Sequence, residues 1–303
     1  MTPRGALRAG TALGPRYEVI GHLARSNVLD VYDAWSRERG CRVIAKTVRP
    51  DRLDDSRAER ALIAEGRLLA RLDHPHIVRA YETLRDPRAA VVLETLSGET
   101  LTHLIDRRER RLSAAEIGFL GIHLCSAVRY LHAREILHLD VKPSNVVSDG
   151  GRARLIDLSV ARPPGPAKAG IGTWCYMAPE QARGGRLGPE ADVWGIGGVL
   201  FEAATGECAF DEDGDDDVEY PQLLRRATPV QRVRQRLPVE LAVAIDACLA
   251  PSPVDRPTLT HLAAACESAA GLPPPERLLS RNAASASRVV HSARSHRAGV
   301  AWG

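Results

Sequence analysis

Aromatic side chains are scarce in this 303-residue chain, with Phe, Trp and Tyr together at 4%. Ring packing is therefore excluded as the main support of its core, and heavy use of Ala and Arg points to alanine-rich helices instead. The six cysteines, Cys41, Cys125, Cys175, Cys208, Cys248 and Cys266, contain no Cys-x-x-Cys pair and no zinc-type knuckle. Several lie in apolar contexts, where Cys acts as a small hydrophobe. No disulfide framework is expected, and a reducing, cytoplasmic setting is. The sequence has no run of about 18 apolar residues, so no membrane span is predicted. The opening MTPRGALRAGTALGPR lacks the sustained apolar core of a signal peptide. A net charge of +3 is too small to indicate a nucleic-acid partner.

What is present is ordinary for a globular protein: 44% hydrophobic and 26% charged residues, in a length that allows one large domain or two lobes. Residues 1–16, rich in Gly, Pro and Arg, read as a flexible leader. Strand patterns follow at 17–20, 28–34 and 42–48. Leu62, Glu65, Leu68, Leu69 and Leu72 then repeat at helical spacing, until His74-Pro75 stops the helix. Two more strands are predicted at 78–84 and 90–94. Beyond Ser97-Gly98 the pattern turns helical, at 101–108 and then from the Ser113/Glu116 capping box to about Ala133. A strongly apolar, buried helix is predicted over 189–205, and an acidic loop over 211–219. Helices near 222–226, 239–249 and 258–269 follow, then a Ser/Arg/Ala-rich tail over 271–303 whose serines alternate with Arg.

The chemistry concentrates in HLDVKPSNVVSDGGRARLID, residues 138–157. Two short apolar runs flank Asp149-Gly150-Gly151, which predicts a hairpin. The hairpin brings Asn145 and Asp157 side by side, with Asp140 on the loop leading in. Two carboxylates and an amide at one end suit a hard, oxygen-seeking cation such as Mg2+.

Other segments complete a pattern. Val43-Ile44-Ala45-Lys46 puts a lysine on a strand, and Glu65 lies nine residues before His74-Pro75. His138-Leu139-Asp140 with Lys142 and Asn145 is followed by Asp157-Leu158-Ser159. Then come Gly172-Thr173, Met177-Ala178-Pro179-Glu180-Gln181 and Val254-Asp255-Arg256-Pro257. In order and spacing, from about Tyr17 to Ala270, this resembles the bacterial, actinobacterial-type Ser/Thr protein kinases of the eukaryotic-like protein kinase superfamily.

The resemblance implies an α+β, bilobal fold. A small antiparallel sheet with one helix forms the N-lobe (17–96), and a larger, mainly helical C-lobe spans 97–270. It implies transfer of the ATP γ-phosphoryl to Ser/Thr hydroxyls of protein substrates. Asp140 becomes the catalytic base and Lys142 the neutraliser of γ-phosphate charge. Lys46, paired with Glu65, becomes the phosphate-binding lysine, and Asn145 and Asp157 the ligands of Mg2+ or Mn2+. Backbone groups of Glu94 and Leu96 receive adenine, Leu93 controls the back pocket, and Val31, Ala45 and Val147 enclose the ring. Thr173 hydrogen-bonds near Asp140 and Lys142, Glu180 pairs with Arg256, Asp192 ties down the catalytic loop, and His138 is structural. The alternatives are a pseudokinase acting as a nucleotide-binding scaffold or sensor, and a small-molecule kinase. The Glu180/Arg256 pair and Thr173, which organise a peptide surface, disfavour the latter.

The chain departs from the family in three places. The glycine-rich loop is replaced by Ala24 to Val31, without glycine; Ser26, with Arg25 and Asn27, is left to contact phosphate, and reduced nucleotide affinity is expected. Leu139 stands where many relatives carry the arginine that grips an activation-segment phosphate, and residues 160–172 hold no Ser, Thr or Tyr. Activity independent of phosphorylation in that segment is the consistent expectation. Ser159 replaces a usual glycine.

Overall fold

The computed structural model describes residues 5–107, 111–210 and 220–273. The expected acidic loop at 211–219 and the tail serines lie outside these residues.

The first half of the chain builds one antiparallel sheet and one helix. Strands β1 (Tyr17–Arg25), β2 (Leu29–Ser36), β3 (Cys41–Val48), β4 (Ala80–Leu84) and β5 (Ala90–Glu94) are ordered β1-β2-β3-β5-β4. Helix α1 (Ser56–Leu69) starts where the Asp55 carboxylate accepts the Arg57 and Ala58 N–H groups. Its apolar face carries Leu62 and Leu69, each 1% exposed or less, and burial of each contributes roughly 1.5–3 kcal/mol. Gly66 brings the helix onto the sheet: a Cβ there would lie 2.2 Å from Thr83 Oγ1 and 2.7 Å from Val91 Cγ2.

Both faces of this sheet are covered. Val91 and Leu93 join a main core that runs from α1 into the second half of the chain. On the other face Tyr17, Val19, Tyr32, Ala34, Val43, Ala45 and Val92 form a second core with Leu13, against which Ala6 and Leu7 pack. The leader therefore does not run free to residue 16. Ala12 bridges Glu18, and Leu13 is 3% exposed, because the outer sheet face needs an apolar cover.

The second half is mainly helical, as expected. A short strand β6 (Glu99–Thr100) precedes α2 (Leu101–Arg107), and α3 (Ala114–His132) follows with both capping-box hydrogen bonds of Ser113 and Glu116 formed. β6 pairs with the hairpin β7 (Val146–Asp149) and β8 (Arg152–Leu155), whose turn is Gly150-Gly151 as predicted. A two-stranded pair, β9 (Gly165–Ala167) and β10 (Gly185–Leu187), brackets α4 (Pro179–Arg183). Helix α5 (Glu190–Thr205) is buried at every position after the first, so its apolar run was the correct sign of a central helix. Helices α6 (Val230–Val233), α7 (Val239–Cys248) and α8 (Leu259–Ala269) close the fold.

Two expected elements differ. The helix near 222–226 is a single 3-10 turn, Pro221–Leu223. There the Gln222 amide donates to the carbonyls of Trp174 and Met177, which ties the turn to that segment. The strand predicted from Val78 starts at Ala80 because Val78 is engaged elsewhere. Its N–H donates to Leu155 O, and Leu155 N–H donates to His76 O. The segment after α1 thus meets β8 through one parallel bridge, Ile77 to Leu155, and joins the two halves.

Histidines line that junction. The rings of His76 and His123 stack at 4.2 Å between centroids, and His74 sits 4.8 Å from Tyr130. His76 Nδ1–H donates to Ala153 O, while His123 Nδ1 accepts the Ala153 N–H. Burial pushes the His123 imidazole down to about 4, helped by His76 and Arg152; burial also lowers His74 and His76. These values lie below the unfolded value of about 6.5. The neutral rings therefore contribute stability that is complete above that pH and is lost as pH falls toward the folded pKa. His123→Gln is expected to be less stable than the parent at pH 7. The gap in thermal midpoint should narrow as pH falls to about 5; a gap independent of pH contradicts the assignment.

Candidate active site

The strand β3 holds Lys46 at its centre, and α1 holds Glu65 opposite. Lys46 Nζ donates to Glu65 Oε1 at 2.7 Å and lies 3.4 Å from Asp157 Oδ2. Both Lys46 and Glu65 are buried. Burial works to lower the Lys46 ammonium, but the carboxylates of Glu65 and Asp157 outweigh it and raise it above its ordinary value. For Asp157 burial acts upward, while Lys46 and the Ser159 N–H hold the carboxyl below its usual range. Lys46 and Asp157 are thus charged at neutral pH. Glu65 Oε1 also accepts the Leu158 N–H at 3.3 Å, so α1 is tied to the segment that carries Asp157.

A second cluster forms on the loop before β7. Asp140 Oδ2 receives Lys142 Nζ at 2.8 Å and Asn145 Nδ2 at 2.9 Å, and Thr173 Oγ1 donates to Asp140 Oδ1 at 2.6 Å. Lys142 Nζ also donates to Thr173 Oγ1. Asn145 Nδ2 is shared with Asp140 O, which turns Asn145 Oδ1 away from Asp140. Ile156 N–H donates to Asn145 O, so Asn145 and Asp157 are set side by side by the hairpin. The available donors, an amide oxygen and a carboxylate, are hard and fit a divalent cation such as Mg2+.

The loop is held from below by Asp192, in the first turn of α5. Asp192 accepts the N–H groups of His138 at 2.9 Å and Leu139 at 2.7 Å, and the His132 ring N–H at 2.7 Å. His132 is a member of this network that no motif announces. Leu139 has φ of 62°, a conformation that costs a non-glycine residue roughly 1–2 kcal/mol. Its carbonyl accepts Gln181 Nε2, which also donates to Ile171 O. Gly172 sits against the same carbonyl: a Cβ at 172 would lie 2.6 Å from Leu139 O. His138 is fully buried, consistent with a structural role, and its Nδ1 accepts the Asp140 N–H.

The nucleotide-side residues come out unevenly. The register pairs Val31 with Lys46 and Tyr32 with Ala45. Strand alternation therefore puts Val31 on the Lys46 face and Ala45 on the opposite one, where it packs in the outer core. Ala45 cannot enclose a ring beside Lys46. Ile44, two residues from Lys46, lies on the Lys46 face and packs against the main core. Period-two counting back from Lys46 is the signal that finds Ile44, and the sequence reading names Ala45 instead. Val147 is buried on the face opposite Val146 of the main core. Glu94 binds the Arg79 N–H and the Arg154 guanidinium through its side chain. Among the described residues no protein group receives the Leu96 N–H.

Ser26 is not available as expected. Its Oγ accepts the N–H groups of Val28 and Leu29, and its own N–H donates to Leu29 O, closing a tight turn with no left-handed residue. Arg25 is turned onto Asp30. Side-chain chemistry thus shapes this hairpin in place of glycine.

Glu180 and Arg256 form the expected bidentate pair, at 2.6 and 2.8 Å, with Arg256 also donating to the Ala250 and Glu190 carbonyls. The Arg256 side chain is fully buried and lies over the Trp194 ring. Arg256→Met is expected to lower the unfolding free energy in urea by about 3–5 kcal/mol, the loss that follows removal of one partner of a buried pair. A loss below about 1 kcal/mol would reduce the pair to a surface contact.

Comparisons with known proteins agree with this geometry. The model of the protein kinase domain matches residues 17–266. A probable serine/threonine-protein kinase of Corynebacterium efficiens is 28% identical over 92% of this chain and 43% of its own length. One of Streptomyces coelicolor is 31% identical over 69% of this chain and 33% of its own length. The chain thus spans less than half of these relatives. The crystal structure of the Mycobacterium tuberculosis PknI kinase domain superposes with a TM-score of 0.69 at 24% identity, covering 88% of this chain and 99% of that one, and so shares the fold.

Proposed function

The chain belongs to the protein kinase domain family, and from that premise we propose that it is a serine/threonine protein kinase that transfers the ATP γ-phosphoryl to hydroxyls of protein substrates. The observation that carries the proposal is the Asp140 cluster, with Lys142, Asn145 and Thr173 all within hydrogen-bond reach of one carboxylate. Phosphoryl transfer needs mainly positioning and charge stabilisation. Asp140 orients the acceptor hydroxyl and takes its proton as ADP leaves. Lys142 offsets charge on the transferring group, and Lys46, fixed by Glu65, binds the phosphates. Asn145 and Asp157 would hold Mg2+ or Mn2+, which supplies charge neutralisation at the phosphates when bound. The backbone of Glu94 and Leu96 receives adenine, with Val31, Ile44 and Val147 around it. Thr173 beside Asp140 and Lys142, and the Glu180–Arg256 anchor, support a peptide rather than a small-molecule acceptor.

Six unpaired cysteines support work in a reducing compartment, the cytoplasm. Among the described residues no helix is long and apolar enough to cross a membrane.

The glycine-free hairpin favours one competing reading, a nucleotide-binding scaffold without turnover. Transfer of label from γ-labelled ATP to a Ser/Thr protein acceptor decides between them. The parent protein is expected to label the acceptor, and Asp140→Asn to lower the rate about 10²–10⁴-fold, the usual contribution of a positioned base. Nucleotide binding with no labelling by the parent would select the scaffold.

A further inference from the structure

The hairpin between β1 and β2 adjoins Lys46 through Val31, its cross-strand partner. In this position a flexible turn covers nucleotide phosphates by offering backbone N–H groups. Here the turn keeps most of those groups for itself. The N–H of Ser26 goes to Leu29 O, and those of Val28 and Leu29 go to Ser26 Oγ. From outside, Arg49 Nη1 donates to Ser26 O and Asn27 O at 3.3 Å, while its other groups pair with Asp51.

The base of the turn is fixed more firmly. Arg25 and Asp30 face each other across the two strands. Arg25 Nε reaches Asp30 Oδ1 at 2.7 Å and Nη2 reaches Oδ2 at 2.8 Å. His22 Nε2 lies 2.9 Å from Asp30 Oδ1, and Tyr32 OH donates to Oδ2 at 3.1 Å. The Leu7 N–H in turn donates to Tyr32 OH, so the leader is part of the same network. Asp30 is completely buried. A buried carboxylate with four hydrogen bonds from three residues belongs to one rigid arrangement, because any displacement leaves charge unpaired.

By alternation Asp30 and Tyr32 lie on the face away from Val31 and Lys46. Asp30 therefore touches neither nucleotide nor reacting atoms, and acts only through the strands it joins.

We propose that Asp30 is a positioning residue for ATP. By clamping Arg25, His22 and Tyr32 it holds the hairpin beside Lys46 in one arrangement, replacing the adaptability that glycines would provide. The proposal rests on the nucleotide reading of the site but not on turnover. Loosening the clamp leaves the chemistry at Asp140 intact and raises the ordering cost of closing the hairpin on ATP.

The test is a calorimetric titration of ATP–Mg2+ into the parent protein, Asp30→Asn, Arg25→Met and a control, Arg37→Met, which removes an exposed pair with Glu18. Amide hydrogen exchange at Ser26 and Leu29 is followed in parallel. Asp30→Asn and Arg25→Met are each expected to weaken ATP binding about tenfold, to speed exchange at those two amides, and to leave KM for the acceptor unchanged. The control changes none of these. If Asp30→Asn does not fold, Arg25→Met decides alone, since its side chain is partly exposed. Faster hairpin exchange with unchanged ATP affinity would overturn the proposal, as would an affinity loss without faster exchange. Absence of labelling by the parent would contradict the kinase reading while leaving this comparison of affinities intact.

Discussion

One buried carboxylate, that of Asp192, supports the assembly of the site. It takes two consecutive N–H groups of the catalytic loop and the ring of His132, and it is 1% exposed. These bonds offset the unfavourable left-handed backbone at Leu139. That backbone in turn aims the Leu139 carbonyl at Gln181, which carries the segment around Ile171 and Gly172. The segment then delivers Thr173 to Asp140. Each contact depends on the one before it, and all start from the central helix α5.

The same view explains why Leu139 is compatible with an assembled site. An arginine there draws a phosphorylated segment into place by charge. In this chain Leu139 is 3% exposed and lies in the main core, and the segment from 160 to 172 has no hydroxyl to phosphorylate. Packing and the Gln181 amide perform the docking. The Lys46–Glu65 contact is formed at the same time, with Glu65 bonded to Leu158, so both halves of the site are in register.

Much of this was legible in the sequence because the chemistry leaves little choice of residue. Lys46, Glu65, Asp140, Asn145 and Asp157 stood at recognisable spacings, and the Ser113 capping box and the Gly150-Gly151 turn announced their elements locally. What escaped depends on contacts distant in sequence or on which way a strand faces. In the motif Ala45 reads as a nucleotide-side residue, although its neighbour Lys46 already claims that face. Leu13 reads as part of a loose leader because nothing nearby in sequence shows that the outer sheet face needs covering. The Asp30 clamp was invisible as well: Arg25 reads as a free cation until the hairpin register sets it opposite Asp30.

Buried contacts alone hold the loop of Asp140 and the segment of Thr173 in working order. The direct measurement is the time course of acceptor labelling by protein freed of phosphate and verified by mass spectrometry. The account predicts a linear course without a lag, and the same rate after preincubation with ATP. A lag, or a rate that rises in step with phosphate gained at Thr173 or Ser159, would contradict it.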